Sequence, residues 1–229
     1  MKISKSLHIE FATLILITSL ALIYAHESGL DTTLASRFFN PVDQWMYRDS
    51  FVLEKILHKG GVIFSIVILV ALLGRWLYLY KFHGDKKQRN YIGFILLSSV
   101  GTILTVFFLK RWSTFPCPWN SVVFGGDVNP PEIWKVFALD LPGRKCFPAG
   151  HSSGGFCFLS MYFGYTFIYG KRNFKTLIPG LLIGVAFGVT QQMRGAHYLS
   201  HDLTTILLSI TISWITTLIY SYYNKKYEN

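Results

Sequence analysis

Six apolar stretches divide this chain, at residues 11–25, 61–80, 91–109, 154–170, 177–191 and 203–223. About 20 apolar residues in a helix cross the roughly 30 Å hydrocarbon core of a bilayer. Inside that core every backbone N–H and C=O must be bonded within the protein, so runs of this kind span as helices. The composition agrees: 51% of residues are hydrophobic and 15% charged, against about 25% charged in soluble domains. The expected fold is all-α, a six-helix transmembrane bundle. It forms a single domain over 1–229 with its core at 62–222, since no polar segment is long enough to fold separately. The first stretch is shorter than the others and follows a basic start with Lys2 and Lys5, as a signal peptide would. It is read as a retained first helix.

A net charge of +10 would hint at nucleic acid in a soluble protein. Here no nucleic-acid partner is expected, because the charge is sorted by loop. One side holds Lys2 and Lys5, Lys81, Lys86, Lys87 and Arg89, then Lys171, Arg172 and Lys175, then Lys225 and Lys226. Only Asp85 and Glu228 oppose them. Short loops rich in Lys and Arg stay in the cytoplasm. Both termini are therefore expected inside an inner membrane, and the loops at 110–153 and 194–202 on the periplasmic or exterior face. Residues 26–60, with Phe38, Phe39, Trp45, Tyr47 and Phe51, read as an interfacial segment whose rings sit at headgroup level.

The two outer loops carry the chemistry. Residues 144–155, Arg-Lys-Cys-Phe-Pro-Ala-Gly-His-Ser-Ser-Gly-Gly, read as a loop turning into a helix, with Ser152 or Ser153 as its cap. Backbone N–H groups at a helix start attract phosphate, and Gly150 lets a ligand approach closely. Lys110, Arg144 and Arg194 can hold a phosphate dianion, together with Gly150 and Ser152. Phosphoryl transfer through histidine needs a nucleophilic imidazole, a carboxylate that fixes its tautomer and a second imidazole that protonates the leaving oxygen. His197, Asp202 and His151 offer these three parts. His197 and His201, four residues apart, would share a helix face. Zinc held by this pair with Asp202 is the competing reading, but Lys and Arg around the site disfavour a cation. No metal or cofactor is expected. Cys117 and Cys146 lie in one polar loop and can pair as a disulfide if that loop faces an oxidising compartment.

At these residues the chain resembles the type 2 phosphatidic acid phosphatase family of membrane lipid phosphatases. The family motif Pro-Ser-Gly-His appears as Pro148-Ala149-Gly150-His151. The family's first motif is Lys, six residues, then Arg-Pro. Lys110 and Pro118 match it, with Cys117 in place of arginine. Arg111 or Arg144 would then supply the missing guanidinium. The third motif is Ser-Arg, five residues, His, three residues, Asp. Placing its histidine on His197 puts Gln191 at the arginine and His201 at the aspartate, with Arg194 and Asp202 displaced. His201 is the alternative nucleophile, but Thr205 would then take the aspartate position.

The resemblance implies a phosphohistidine on His197, with His151 as general acid and Asp202 orienting His197. It implies release of inorganic phosphate without a metal, from a phosphorylated lipid entering from the bilayer. The substrate would be an envelope lipid, a monoester or pyrophosphate of lipid A, undecaprenyl pyrophosphate or phosphatidylglycerophosphate type. A lipid-to-lipid phosphotransferase using the same site and a non-enzymatic phospholipid transporter or binding protein are the other readings.

Overall fold

The computed structural model describes residues 3–42, 44–132, 135–137 and 145–227. The chain is predominantly helical. Five helices are long and apolar enough to cross a membrane. They are α1 (Lys5–Glu27), α3 (Gly61–Lys81) with the π-helical run Val52–Gly60 that leads into it, α4 (Lys86–Trp112), α7 (Ile178–Met193) with its 3₁₀ lead-in Phe174–Leu177, and α8 (Leu199–Tyr227). The sixth apolar stretch is helical as well, but in three pieces: α5 (Gly150–Phe156), a 3₁₀ turn Cys157–Leu159 and α6 (Ser160–Tyr169).

This interrupted segment is the centre of the molecule. Phe156, Leu159, Tyr162 and Phe163 are buried against Leu7 and Phe11 of α1, Phe94 of α4 and Ile210 of α8. A break in a helix leaves backbone carbonyls short of partners, which must be found on neighbouring helices. Ser209 Oγ donates to Phe156 O at 2.7 Å, and Ser99 Oγ to Cys157 O at 3.2 Å. Such interhelical bonds average about 0.6 kcal/mol each. By contrast, Ile63, Phe64, Ile66, Val67 and Val70 of α3 are exposed, as a face turned to hydrocarbon should be.

Helices without a hydrophobic drive to associate pack through small residues that let backbones touch. Gly155 of α5 meets Gly184 of α7 in this way: a Cβ at Gly155 would fall 2.3 Å from the Gly184 nitrogen. Gly155→Ala is expected to lower stability by about 3 kcal/mol through overpacking, measured by thermal unfolding in detergent. Gly74→Ala, where nothing lies within 4 Å, should leave the midpoint unchanged or slightly raised.

The segment at 26–60 differs from the expectation. It forms a short helix α2 (Leu30–Ser36) and a two-stranded hairpin of β1 (Phe39–Asn40) and β2 (Gln44–Trp45), and its last residues belong to the helical run that becomes α3. Its aromatics do not all face headgroups. Trp45 is buried, and packs with Phe39 against Phe124 of the 113–149 loop at ring distances of 5.1 and 5.3 Å. Phe51 remains exposed. The described part of that loop, with Phe115, Phe124 and Phe147, gives the rings a protein surface to cover.

Candidate active site

The first turn of α5 is tied to the first turns of α8. Ala149 N–H donates to His201 O at 3.2 Å, and Thr205 Oγ1 donates to Ala149 O at 3.0 Å. These bonds fix His151, two residues further on, beside the turn that carries His197. Lys110 closes in from the last turn of α4, so that a Cβ at Gly150 would stand 3.4 Å from its Nζ. The amine thus stands within van der Waals reach of the Gly150 backbone.

The expected serine cap is corrected. The N-cap of α5 is Ala149, which makes no side-chain cap bond. Ser152 and Ser153 sit inside the helix and donate back to Ala149 O and Gly150 O. The proline at 148 and the ties to α8 already set the chain's direction, so the serines are free to bond backward. The leading N–H groups of α5 therefore carry no serine cap.

His151 Nε2 lies 3.0 Å from Leu57 O, a contact that requires the proton on Nε2. Its ring sits between His58, at 4.7 Å, and Phe187, at 4.5 Å. His197 occupies the turn between α7 and α8 rather than a shared helix face with His201. Its Nδ1 is 3.2 Å from His201 Nδ1 and 3.9 Å from Cys146 Sγ. One imidazole must donate and the other accept. His201 is fully buried, with the rings of Phe115, Phe147 and Tyr198 at 5.1, 5.3 and 5.4 Å. It can orient His197 but has no open approach of its own. Burial, joined by the charge of Lys110 and the neighbouring His201, His151 and His58, holds the His197 pKa well below the ordinary histidine range. The ring is therefore neutral at pH 7, as a nucleophile must be.

Arg194 closes α7. Its Nε donates to Arg48 O at 2.9 Å and its Nη1 to Gln191 Oε1 at 3.2 Å. Gln191, at the motif's arginine position, is thus in contact with the arginine one turn later. Asp202 is buried but accepts from Gln192 Nε2 at 2.7 Å. Among the described residues no hydrogen bond joins Asp202 to His197; the partner at His197 Nδ1 is His201. Arg111 is exposed, and Arg144 lies outside the described residues. Cys117 and Cys146 form a disulfide. The ligand atoms of Cys146, His197 and His201 lie within 4.8 Å of one another, but a disulfide sulfur is not the thiolate that zinc requires.

Five buried polar atoms in this region have no partner among the described residues: His58 Nδ1, His151 Nδ1, Gln191 Nε2, His201 Nε2 and Asp202 Oδ1. Buried polar groups are rarely left unbonded without a reason. The Gln191 Nε2 amide, with Lys110 and Arg194 nearby, supplies donors that suit a ligand rich in acceptor oxygens, such as phosphate, while His151 Nδ1 in the neutral ring is an acceptor that can take up a proton.

A family model described as the PAP2 superfamily matches residues 91–225. The chain belongs to the PAP2 superfamily. Members of this superfamily are phosphatases, and with the apolar helices the match fits a multi-pass membrane phosphatase acting on a phosphoric ester. No curated protein and no solved structure matches the chain. The PAP2 match starts within α4 and leaves out the run that carries His58. Sequence reasoning missed His58, although Val52, Leu53, Ile56 and Leu57 repeat with a helical period that would have placed His58 at the head of α3. Gln192, the partner of Asp202, was missed too, because a glutamine near a helix end carries no signal of its own.

Proposed function

We propose that this protein is a six-span, metal-independent lipid phosphatase that works through a phosphohistidine on His197. The observation that carries this reading is the convergence of Lys110, His151 and His197, from three distant stretches, on one end of the bundle. His197 Nε2 attacks the phosphorus, since Nδ1 faces His201. The bond from phosphorus to the lipid oxygen breaks, and that oxygen takes a proton from His151 Nδ1, the ring entering this step as the imidazolium because its Nε2–H is held by Leu57 O. Water, giving a proton back to His151 Nδ1, then attacks the phosphorus; its bond to His197 Nε2 breaks, which frees His197 and releases inorganic phosphate. Lys110 and Arg194 balance the charge of the transferring group. His201 orients His197, while Asp202 steadies the junction of α7 and α8 through Gln192.

The site belongs on the outer face of an inner membrane. The basic short loops lie at the opposite end, where Arg172 pairs with Glu10 of α1 at 2.9 Å. A disulfide beside the histidines suits an oxidising compartment. An envelope lipid phosphate, as a monoester or pyrophosphate, would reach the site from the bilayer.

The test is phosphate release by detergent-purified protein from lipid A, undecaprenyl pyrophosphate, phosphatidylglycerophosphate and phosphatidic acid, with chelator present. Turnover of at least one of them, undiminished by chelator, is expected. Label passing to a second lipid rather than to water would make the protein a phosphotransferase, and silence across the panel would end the enzymatic reading.

A further inference from the structure

A cavity opens at the same end of the bundle, on the far side of an aromatic wall from the histidines. It has a volume of about 270 Å³ and is lined by His26, Glu27, Asp31, Phe115, Glu132 and Tyr198, with Pro130 and Pro131 at its edge. Phe115 and Tyr198 also flank His201, so these two rings separate the cavity from the site proposed for phosphate.

Acidic residues alone would not make this a site, but Asp31 adds an independent observation. It is only 5% exposed. Its Oδ1 accepts from Ser200 N–H at 2.9 Å, at the start of α8. Its Oδ2 has no hydrogen-bond partner among the described residues. His26 Nδ1 stands 3.9 Å from it, beyond hydrogen-bond reach. A carboxylate oxygen buried without a donor is costly, and this one borders a cavity.

We propose that the cavity binds a primary ammonium group of an ethanolamine-type headgroup. Three features select that chemistry. The lining carries Glu27, Asp31 and Glu132, so the ligand is cationic; Glu132 also pairs with Lys135 at 2.7 Å, which leaves Glu27 and Asp31 as the main attraction. The volume is several times the roughly 30 Å³ share of one water, so the ligand has several heavy atoms rather than being a bare ion. Besides His26 and Thr32, the remaining walls are the Phe115 and Tyr198 rings and two prolines, which suit an organic cation and its carbon chain. A hard divalent cation would instead call for six or more oxygen ligands. An ammonium with N–H groups supplies the donor that Asp31 Oδ2 lacks.

The site is independent of the phosphatase reading, and its test reads binding, not turnover. Thermal unfolding of the full-length protein in detergent is followed with ethanolamine, choline, sodium chloride, magnesium chloride or calcium chloride at matched ionic strength. A second arm compares nanodiscs of phosphatidylethanolamine with nanodiscs of phosphatidylglycerol. Saturating ethanolamine is expected to raise the midpoint by about 5 °C, and choline, which has no N–H, by much less. Stabilisation by free ethanolamine points to a soluble source; stabilisation only in phosphatidylethanolamine points to a lipid headgroup; both support the site. Glu27→Gln, at an exposed position where folding should be unaffected, is expected to halve the shift or more. Asp31→Asn should abolish it. No response to either amine source, an equal response to choline, a response confined to magnesium or calcium, or a full response in Glu27→Gln would each overturn the proposal.

Discussion

Replacing His197 with alanine is expected to lower phosphate release by about 10⁴-fold or more, since no other group can take the covalent step. Turnover near the wild-type level in this variant would remove the mechanism. His151→Ala tests the other half of the reaction. A general acid contributes about 10²- to 10⁴-fold, and its worth depends on how badly the leaving oxygen needs a proton. With a lipid alcohol as leaving group the loss should lie in that range. With an aryl phosphate, whose phenolate departs unaided, the His151 variant should recover most of the first step. A purely structural role for His151 would depress both substrates equally. The geometry favours the catalytic outcome, because Leu57 O holds the ring from one side and leaves Nδ1 buried and unpartnered. His201→Gln should be milder than His197→Ala, because an amide can still hold His197 Nδ1.

The bundle was legible because its cause is local. An apolar run of the right length reads the same in sequence as in space, and all six stretches proved helical. The charge sorting of the loops was equally plain, and it grouped 110–153 with 194–202 at the same end. Contacts set by tertiary packing were not legible. The motif spacing put His201 at the aspartate position, and Asp202, one residue displaced, was read as the group that orients His197; in the fold Asp202 instead accepts from Gln192. His201 then falls against His197. Gly195, at φ +73° and with Trp45 where a Cβ would stand, turns the chain sharply between the two helices and sets that offset. The interfacial reading of 26–60 had the right composition but no means to know that the 113–149 loop would cover Trp45. Arg144, read as a phosphate ligand, lies outside the described residues, so its place beside the phosphate remains a proposal.

The disulfide carries the second large effect. Cys117 stands where the family motif has arginine, so the chain has exchanged a charged ligand for a covalent tie. Closing a loop across 29 residues is worth about 3.6 kcal/mol in chain entropy. Cys117→Ser or Cys146→Ser is therefore expected to lower the thermal midpoint in detergent by about 10 °C. The double variant should match the single ones, because each alone breaks the bond. Reductant should bring the wild type to the same midpoint and leave the variants unmoved. The loss should also reach the chemistry. Cys146 Sγ stands 3.9 Å from His197 Nδ1 and 3.0 Å from Ala196 O, so the tie braces the turn that presents the nucleophile. A freed loop would let His197 leave its place against His201, and turnover should fall more than folded fraction. Three alkylatable thiols in unreduced, unfolded protein would refute this account; the expected number is one, Cys157, which is buried and unpaired in the fold. If the bond forms and its loss costs stability but not turnover, the loop anchors the fold while His201 alone holds His197. That outcome would move the positioning role wholly onto the histidine pair.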